Sequence, residues 1–165
     1  MKKSPASPQP DDPVRLRQCL GRFATGVTVV TCAAADGSPR GITANSFSSV
    51  SLEPPLVLWN IARVSNSLQS YLGAEYFAIN ILAADQQDLA EHFARTDHTR
   101  FTGIDYGRSE DDVPVLPGTL ACLHCRTHEI HDSGDHYIII GEVLRFEYND
   151  AEPLLFVKGD YATLG

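Results

Sequence analysis

The segment 41–55, GITANSFSSVSLEPP, is the most chemically distinctive part of the sequence. Hydroxyl and amide side chains dominate this segment, and it carries little charge. Its hydroxyls and main-chain N–H groups therefore offer a row of hydrogen-bonding groups along the chain. Such a row suits a flat, polar, anionic ligand. Composition alone also fits an ordinary loop between strands. The interspersed Ile42, Phe47, Val50 and Leu52 favour a packed segment.

Two further groups could contact a ligand. Ser65-Asn66-Ser67 precedes a predicted helix, whose first N–H groups and partial positive charge can hold a phosphate. The same serines are also typical of a plain helix N-cap. Gly134-Asp135-His136 precedes a predicted strand, and a histidine there can donate to a ligand or exchange a proton near neutral pH. A structural or surface role is the alternative for His136.

The run Cys122-Leu123-His124-Cys125, followed by His128 and His131, contains residue types that bind zinc. Because a strand is predicted over 119–130, Cys122 and Cys125 point to opposite faces, whereas zinc needs convergent ligands. A redox Cys-x-x-Cys motif needs a helix that begins after a strand, which the pattern does not offer here. We therefore predict no metal site and no thiol chemistry in this run.

Sequence motifs for other enzyme classes are absent. There is no G-x-G-x-x-G, P-loop, G-x-S-x-G or H-E-x-x-H pattern. The residue chemistry by itself therefore leads only to a β-rich domain that binds a polar, phosphorylated ligand.

Strands outnumber helices among the predicted elements that position these groups. Short β-branched runs indicate strands, and turn residues at 36–39 predict a hairpin. The strands are expected at 27–32, 41–43, 56–61, 76–81, 119–130, 137–146 and 154–157. Helices are expected after Pro13, at 65–72 with Ser65 as N-cap, and at 85–95 with Asp85 as N-cap. The pattern predicts a mainly β barrel-like domain with about three peripheral helices.

Size and charge limit the class of protein. The chain has 165 residues, 43% hydrophobic and 21% charged, which suits one globular domain over 13–165 behind a flexible, proline-bearing tail at 1–12. Its net charge of −8 argues against nucleic acid and anionic membranes as partners. Neither a long apolar run nor a secretory signal is seen, and the four cysteines are too few for a disulfide scaffold. These features predict a cytoplasmic protein.

A series of motifs in one order resembles a known family. They are GVTVVT at 26–31, GITANSFSSVSL at 41–52, PPLVL at 54–58, Ser65-x-Ser67, FAINIL at 77–82, Gln87-x-Leu89-Ala90, Arg100-Phe101, Gly134-Asp135-His136, Gly141-Glu142-Val143 and PLLF at 153–156 before Tyr161. Together they are similar to the flavin reductase family with the FMN-binding split-barrel fold, over roughly 14–164. The resemblance implies a split β-barrel and a homodimer with flavin near the subunit interface.

The resemblance also implies roles for individual residues. The flavin ring would meet Thr43, Ala44, Asn45 and Ser46, continue along Ser48, Ser49 and Val50, and be flanked by Trp59 and Asn60. Its phosphate would lie on Ser65 and Ser67, and its outer end on Arg100 and Phe101. His136 is expected as the catalytic contact to the nicotinamide, with Tyr161 beside it.

The implied activity is hydride transfer from NADH or NADPH to FMN or FAD, which supplies reduced flavin to a separate monooxygenase. Hydride transfer relies on the cofactors' own chemistry, so no acid–base pair is needed. Two alternatives stay open: a flavin-binding protein without turnover, and a split-barrel oxidase of another substrate. Such an oxidase needs a set of basic residues to bind the phosphate of its substrate. Near the matching segments the sequence offers only Arg63, Arg95 and Arg100.

Overall fold

The strand formed by Thr28–Ala33 is buried on both of its faces. In the computed structural model, which describes residues 10–95 and 101–165, Val29 and Val30 are fully buried and the strand reads Thr-Val-Val-Thr-Cys-Ala. Branched and apolar side chains on both faces are typical of a strand buried on both sides.

The described residues form twelve strands and three α-helices. The strands are β1 (Thr25–Gly26), β2 (Thr28–Ala33), β3 (Pro39–Ala44), β4 (Ser48–Leu52), β5 (Pro55–Ala62), β6 (Tyr76–Ile81), β7 (Gly107–Arg108), β8 (Pro114–Val115), β9 (Ala121–Ser133), β10 (His136–Tyr148), β11 (Leu155–Val157) and β12 (Asp160–Ala162). The helices are α1 (Pro13–Leu20), α2 (Leu68–Leu72) and α3 (Gln87–Ala94), with a 3-10 turn (Ala84–Gln86) before α3. The prediction of a mainly β protein with about three helices is confirmed.

Seven of the strands form one antiparallel sheet in the order β3-β2-β6-β9-β10-β5-β4. Its two edge strands, β3 and β4, are consecutive in the chain and are joined by residues 45–47 alone. In a flat sheet these edges would lie about 29 Å apart, at about 4.8 Å per strand. The connection reaches at most about 14 Å. The sheet must therefore curl strongly.

The main core fills the concave side of this curled sheet. Trp59, Tyr71 and Phe77 are almost completely buried there, and the Trp59 and Tyr71 rings meet edge to face with centroids 5.1 Å apart. A methyl group on Gly141 would lie 2.4 Å from the Phe77 ring, so only glycine allows that ring its position. A second core, with Phe93 at its centre, packs α3 against the sheet.

Asn80 holds the sheet to the segment that follows β8. It is completely buried and donates to the carbonyl of Val29 (2.9 Å) and to Thr31 Oγ1 (3.1 Å), while its Oδ1 accepts from the N–H of Leu116 (3.0 Å). The Thr31 hydroxyl in turn donates to the carbonyl of Pro114 (2.6 Å). Buried polar groups of this kind are stabilising only while every partner is present.

Several local predictions need correction. Helix α2 begins at Leu68 and its N-cap is Ser67, not Ser65, because the chain first makes a turn in which Ser65 Oγ accepts from the N–H of Ser67 (3.3 Å). Asp85 is not a helix cap either, since Gln86 Oε1 accepts from the N–H of Ala83 and closes the 3-10 turn. Residues Ser48–Leu52 form edge strand β4 rather than the ordinary loop that composition alone also fitted.

In the part of the chain that the structure describes, no helix combines the length and the apolar character needed to cross a bilayer.

We expect Asn80→Ala to lower the free energy of unfolding by roughly 2–4 kcal/mol, because it leaves buried N–H and C=O groups without partners and opens a cavity. Urea unfolding followed by circular dichroism measures the change. The control is Asn149→Ala, which removes an exposed asparagine that donates to the carbonyl of Thr119. Equal losses in the two variants would contradict the role of Asn80.

Candidate functional site

A cavity of about 1010 Å³ lies where the 45–47 connection meets the N-terminal helix. One wall consists of the connection, the start of β4 and Asn60 of β5. The opposite wall consists of the end of α1 and the segment after it, and Phe156 and Gly159 complete the lining. Of the predicted ligand contacts, Asn45, Ser46, Ser48 and Asn60 are brought together here.

Ser46 fixes the connection to the sheet. Its Oγ accepts from the N–H of Asn60 (2.9 Å) and lies 3.4 Å from the carbonyl of the same residue, to which it donates. Asn60 is in the middle of β5, so the position of the connection is set by a rigid strand. A site held in this way needs little reorganisation when a ligand enters.

Two residues of the cavity wall carry polar atoms that lack a partner among the described residues. They are Oδ1 of Asn60 and Oγ1 of Thr25, and both are buried. A buried oxygen without a hydrogen bond costs about 1–3 kcal/mol. An amide oxygen and a hydroxyl in the lining of one cavity match a ligand that offers both an N–H donor and carbonyl acceptors.

His136 lies on the same face of the sheet as Asn60. In the β5–β10 pairing, Asn60 is opposite Ile138 and Ala62 is opposite His136, and alternate residues of a strand share a face. The neighbouring residues that face the opposite way, Trp59, Ile61 and Ile139, are buried in the core. His136 is therefore about 7 Å further along this outer face, at two residues of strand rise.

His136 is half exposed and forms a hydrogen bond with the carboxyl of its neighbour Asp135. Its Nδ1 lies 2.7 Å from Oδ1 of Asp135, and this hydrogen bond holds the pKa of the Asp135 carboxyl below its usual value. The imidazole is therefore oriented by one nitrogen, while Nε2 remains available to a ligand on the outer face.

Basic residues collect near the cavity although the chain is acidic. Arg17 lines the cavity, and it also lines an adjacent cavity of about 490 Å³ together with Arg22 and Lys158. The hydrogen bond from His136 is the main cause of the lowered pKa of Asp135, and Coulomb attraction from Arg17 adds to it. In a protein of net charge −8, this grouping favours an anionic ligand.

Several predicted contacts instead have structural partners. Thr43 Oγ1 donates to the carbonyl of Ala90 (2.6 Å), and the carbonyl of Ala44 accepts from Thr28 (2.7 Å). The Trp59 side chain is fully buried in the main core. Ser67 is buried, and Ser65 makes the turn before α2. None of the five lines the cavity.

The remaining predicted contacts are spread over neighbouring elements. Ser49 and Val50 are in edge strand β4, where Val50 is half exposed. The ring of Phe101 packs on Phe93, and Tyr161 packs on Phe156, whose side chain lines the cavity. Arg100 lies outside the described residues.

Sequence reasoning missed the contribution of the N-terminal helix. Arg17, Cys19 and Leu20 of α1 line the cavity, followed by Phe23, which is 80% exposed. The apolar periodicity after Pro13 predicted the helix, but α1 buries none of its residues against its own chain. The sequence predicts the helix but not what its apolar side faces. That this side is not buried is visible only in the structure.

Known proteins are similar to this chain over most of its length. The family model described as flavin reductase like domain matches residues 20–165. An FMN reductase (NADH) of Agrobacterium fabrum is 48% identical over 145 residues, which are 88% of this chain and 82% of the relative. The reductase component of a flavin-dependent trigonelline monooxygenase from Acinetobacter baylyi is 44% identical over 148 residues, 90% of this chain but only 48% of the relative.

Solved structures have the same fold. An NADH:FAD oxidoreductase from Streptomyces globisporus, in complex with NAD and FAD fragments, superimposes with a TM-score of 0.91 at 37% identity. The match covers 98% of this chain and 98% of that one. The present chain thus spans nearly all of this relative but about half of the Acinetobacter reductase component.

We expect Ser46→Ala to loosen the 45–47 connection, since the N–H of Asn60 then loses its acceptor. A loss of about 1.4 kcal/mol corresponds to about tenfold faster amide exchange of Asn60 and its neighbours. Hydrogen–deuterium exchange of peptides from 44–62 measures it. Ser48→Ala is the matched control, because Ser48 Oγ only reaches the carbonyl of the next residue. Unchanged exchange in Ser46→Ala would show that the hydroxyl does not fix the connection.

Proposed function

The chain belongs to the flavin reductase-like domain family, and we propose that it transfers hydride from NADH or NADPH to FMN or FAD held in the cavity beside Ser46 and Asn60. The observation that carries the proposal is the cavity itself, in which a fixed polar wall lies next to an outer face bearing an oriented histidine. We place this activity in residues 13–165.

The residues of the cavity fit a flavin. The ring offers an N–H donor and carbonyl acceptors, which match the unpartnered Asn60 Oδ1, the Thr25 hydroxyl and the main-chain N–H groups of 45–48. Phe23 and Phe156 supply apolar surface for the ring, and Arg17 supplies charge for an anionic group. Ser65, Ser67, Arg100 and Phe101 remain predicted contacts for the phosphate and the outer end.

When bound, the flavin supplies the hydride-accepting atom, and the protein supplies orientation and electrostatics. Donors at the 45–48 wall would stabilise the negative charge of a reduced flavin. His136, held by Asp135, would donate from Nε2 to the carboxamide of a bound nicotinamide and so orient it for hydride transfer. Tyr161 is placed beside this end only as a prediction.

The first test is oxidation of NADH and of NADPH, followed by absorbance, with FMN or FAD added. A flavin-dependent rate with either donor supports the proposal. Tight, stoichiometric flavin binding without nicotinamide oxidation would instead identify a flavin carrier. No rate and no flavin binding would exclude both.

The relatives named as monooxygenase reductase components suggest where reduced flavin goes. We propose that this chain likewise supplies reduced flavin to a separate flavin-dependent monooxygenase. A cytoplasmic location is part of the same proposal, and it is consistent with the four free cysteines, of which three are buried.

We further propose a split barrel that functions as a homodimer. The strong curl of the sheet supports the barrel, and the exposed apolar surface supports the dimer. Leu20 of α1 is 66% exposed, Phe23 is 80% exposed and Leu52 of edge strand β4 is 89% exposed. An uncovered apolar edge strand is a hazard that natural proteins usually pair or bury. A second copy covering α1 and β4 would also enclose the cavity, which α1 lines.

His136→Ala should lower kcat/KM for the nicotinamide donor by about tenfold to a hundredfold, as expected for loss of one orienting hydrogen bond to a ligand. The dissociation constant for flavin should change less than threefold, roughly 0.6 kcal/mol. Steady-state kinetics and fluorescence titration measure the two quantities. His131→Ala is the control, because His131 is an exposed histidine of the same hairpin paired with Glu129. Parallel losses of flavin affinity and turnover would contradict the assigned role.

Leu52→Glu should shift the protein from dimer to monomer at micromolar concentration, since a carboxylate on the covered edge must lose its hydration. Light scattering during size-exclusion chromatography measures the mass. Leu164→Glu places the same charge at a residue that is 59% exposed near the C-terminus and should leave the mass unchanged. A wild-type protein that is monomeric at all concentrations would overturn the dimer.

A further inference from the structure

A second group of chemically able side chains lies at the other end of the β9–β10 hairpin from His136. Cys122 and His124 are two residues apart on β9, so their side chains share one face. Glu147 is directly opposite Cys122 on β10, so it shares that face too. The alternation that sends Cys125 to the other side of the sheet thus brings Cys122, His124 and Glu147 together.

The three side chains are close enough to bind one ion. Their ligand atoms all lie within 4.8 Å of one another, and His124 Nε2 is 3.7 Å from Glu147 Oε1. In a tetrahedral zinc site, with bonds of about 2.0–2.3 Å, ligand atoms are about 3.3–3.7 Å apart. Small side-chain rotations therefore reach zinc geometry without moving either strand.

The surroundings leave these groups available. Arg145, which is opposite His124 on β10, is occupied by Asp111 (2.5 Å) and Glu110 (3.7 Å), so it does not neutralise Glu147. Nδ1 of His124 is buried and has no hydrogen-bond partner among the described residues.

The group also faces open space. A cavity of about 790 Å³ is lined by Cys122, His124 and Glu147 together with residues of the segment 107–119. This cavity shares no residue with the one beside Asn60. Three protein ligands next to an open volume are the arrangement in which zinc keeps a fourth position for water or a small anion.

We propose that Cys122, His124 and Glu147 form a zinc-binding site with a fourth, solvent-accessible coordination position. Sulfur, imidazole nitrogen and carboxylate oxygen together suit Zn²⁺ better than Mg²⁺ or Ca²⁺, which prefer oxygen ligands. Binding replaces the Cys122 S–H bond by a Zn–S bond and releases the proton to solvent. The ion ties β9 to β10 at the end of the hairpin that is remote from His136.

The test uses the full chain, freed of metal by a chelator, and titrated with Zn²⁺ by calorimetry and with Co²⁺ by absorption. One equivalent should bind, and Co²⁺ should give a thiolate charge-transfer band with the visible bands of a four-coordinate ion. Glu147→Gln and Cys122→Ser should each weaken binding at least about tenfold. Cys122→Ser should also abolish the charge-transfer band.

Two control variants separate this site from adventitious binding. Cys19→Ser removes the exposed thiol and His131→Ala removes an exposed histidine, and neither should change the affinity more than twofold. Glu147 is 67% exposed, so Glu147→Gln is decisive if Cys122→Ser does not fold. Absence of stoichiometric binding, or binding that Glu147→Gln leaves intact or His131→Ala removes, overturns the proposal.

Discussion

The short connection between the two edge strands is the constraint on which the rest of the structure depends. Residues 45–47 join strands that a flat sheet would hold about 29 Å apart, so the sheet curls and its concave side becomes the core around Trp59. The same constraint places Ser46 against Asn60 of β5. One short segment thus sets the curvature of the sheet, the shape of the core and one wall of the cavity.

The alternation of side chains along each strand then places apolar groups on the core side of the curled sheet and polar groups on its outer face. On β5, Trp59 and Ile61 enter the core while Asn60 and Ala62 face outward. On β10, His136 faces the same way as Asn60. The outer face can carry polar groups because the aromatic core behind it fixes the strands, so orientation at the surface costs little when a ligand binds.

The sequence predicted elements well and tertiary contacts poorly, for a physical reason. A short β-branched run located β2, because branched side chains are typical of strands and leave a local signature. Apolar residues at helical spacing predicted a helix after Pro13, yet what that helix faces depends on contacts distant in sequence. Trp59 shows the limit. The resemblance implied that it flanks the flavin ring, but in β5 its register turns the side chain into the core. Register depends on partner strands, which a single segment does not encode.

Cys122 and Cys125 show what the pattern of one strand can and cannot predict about a metal site. Alternation does separate the two cysteines, and they pack in different core clusters. The same alternation requires Cys122 and His124 to share a face, and the pairing of β9 with β10 adds Glu147 from a position 25 residues beyond Cys122. A spacing rule applied to β9 alone considers Cys122 and Cys125, whose side chains point to opposite faces of the sheet. A metal site across a sheet is instead encoded in the hairpin register. Two irregularities, between Ile140 and Gly141 and between Val143 and Arg145, shift that register in opposite directions and cancel. The register set at the turn, rather than the Cys-x-x-Cys spacing, therefore places Glu147 opposite Cys122.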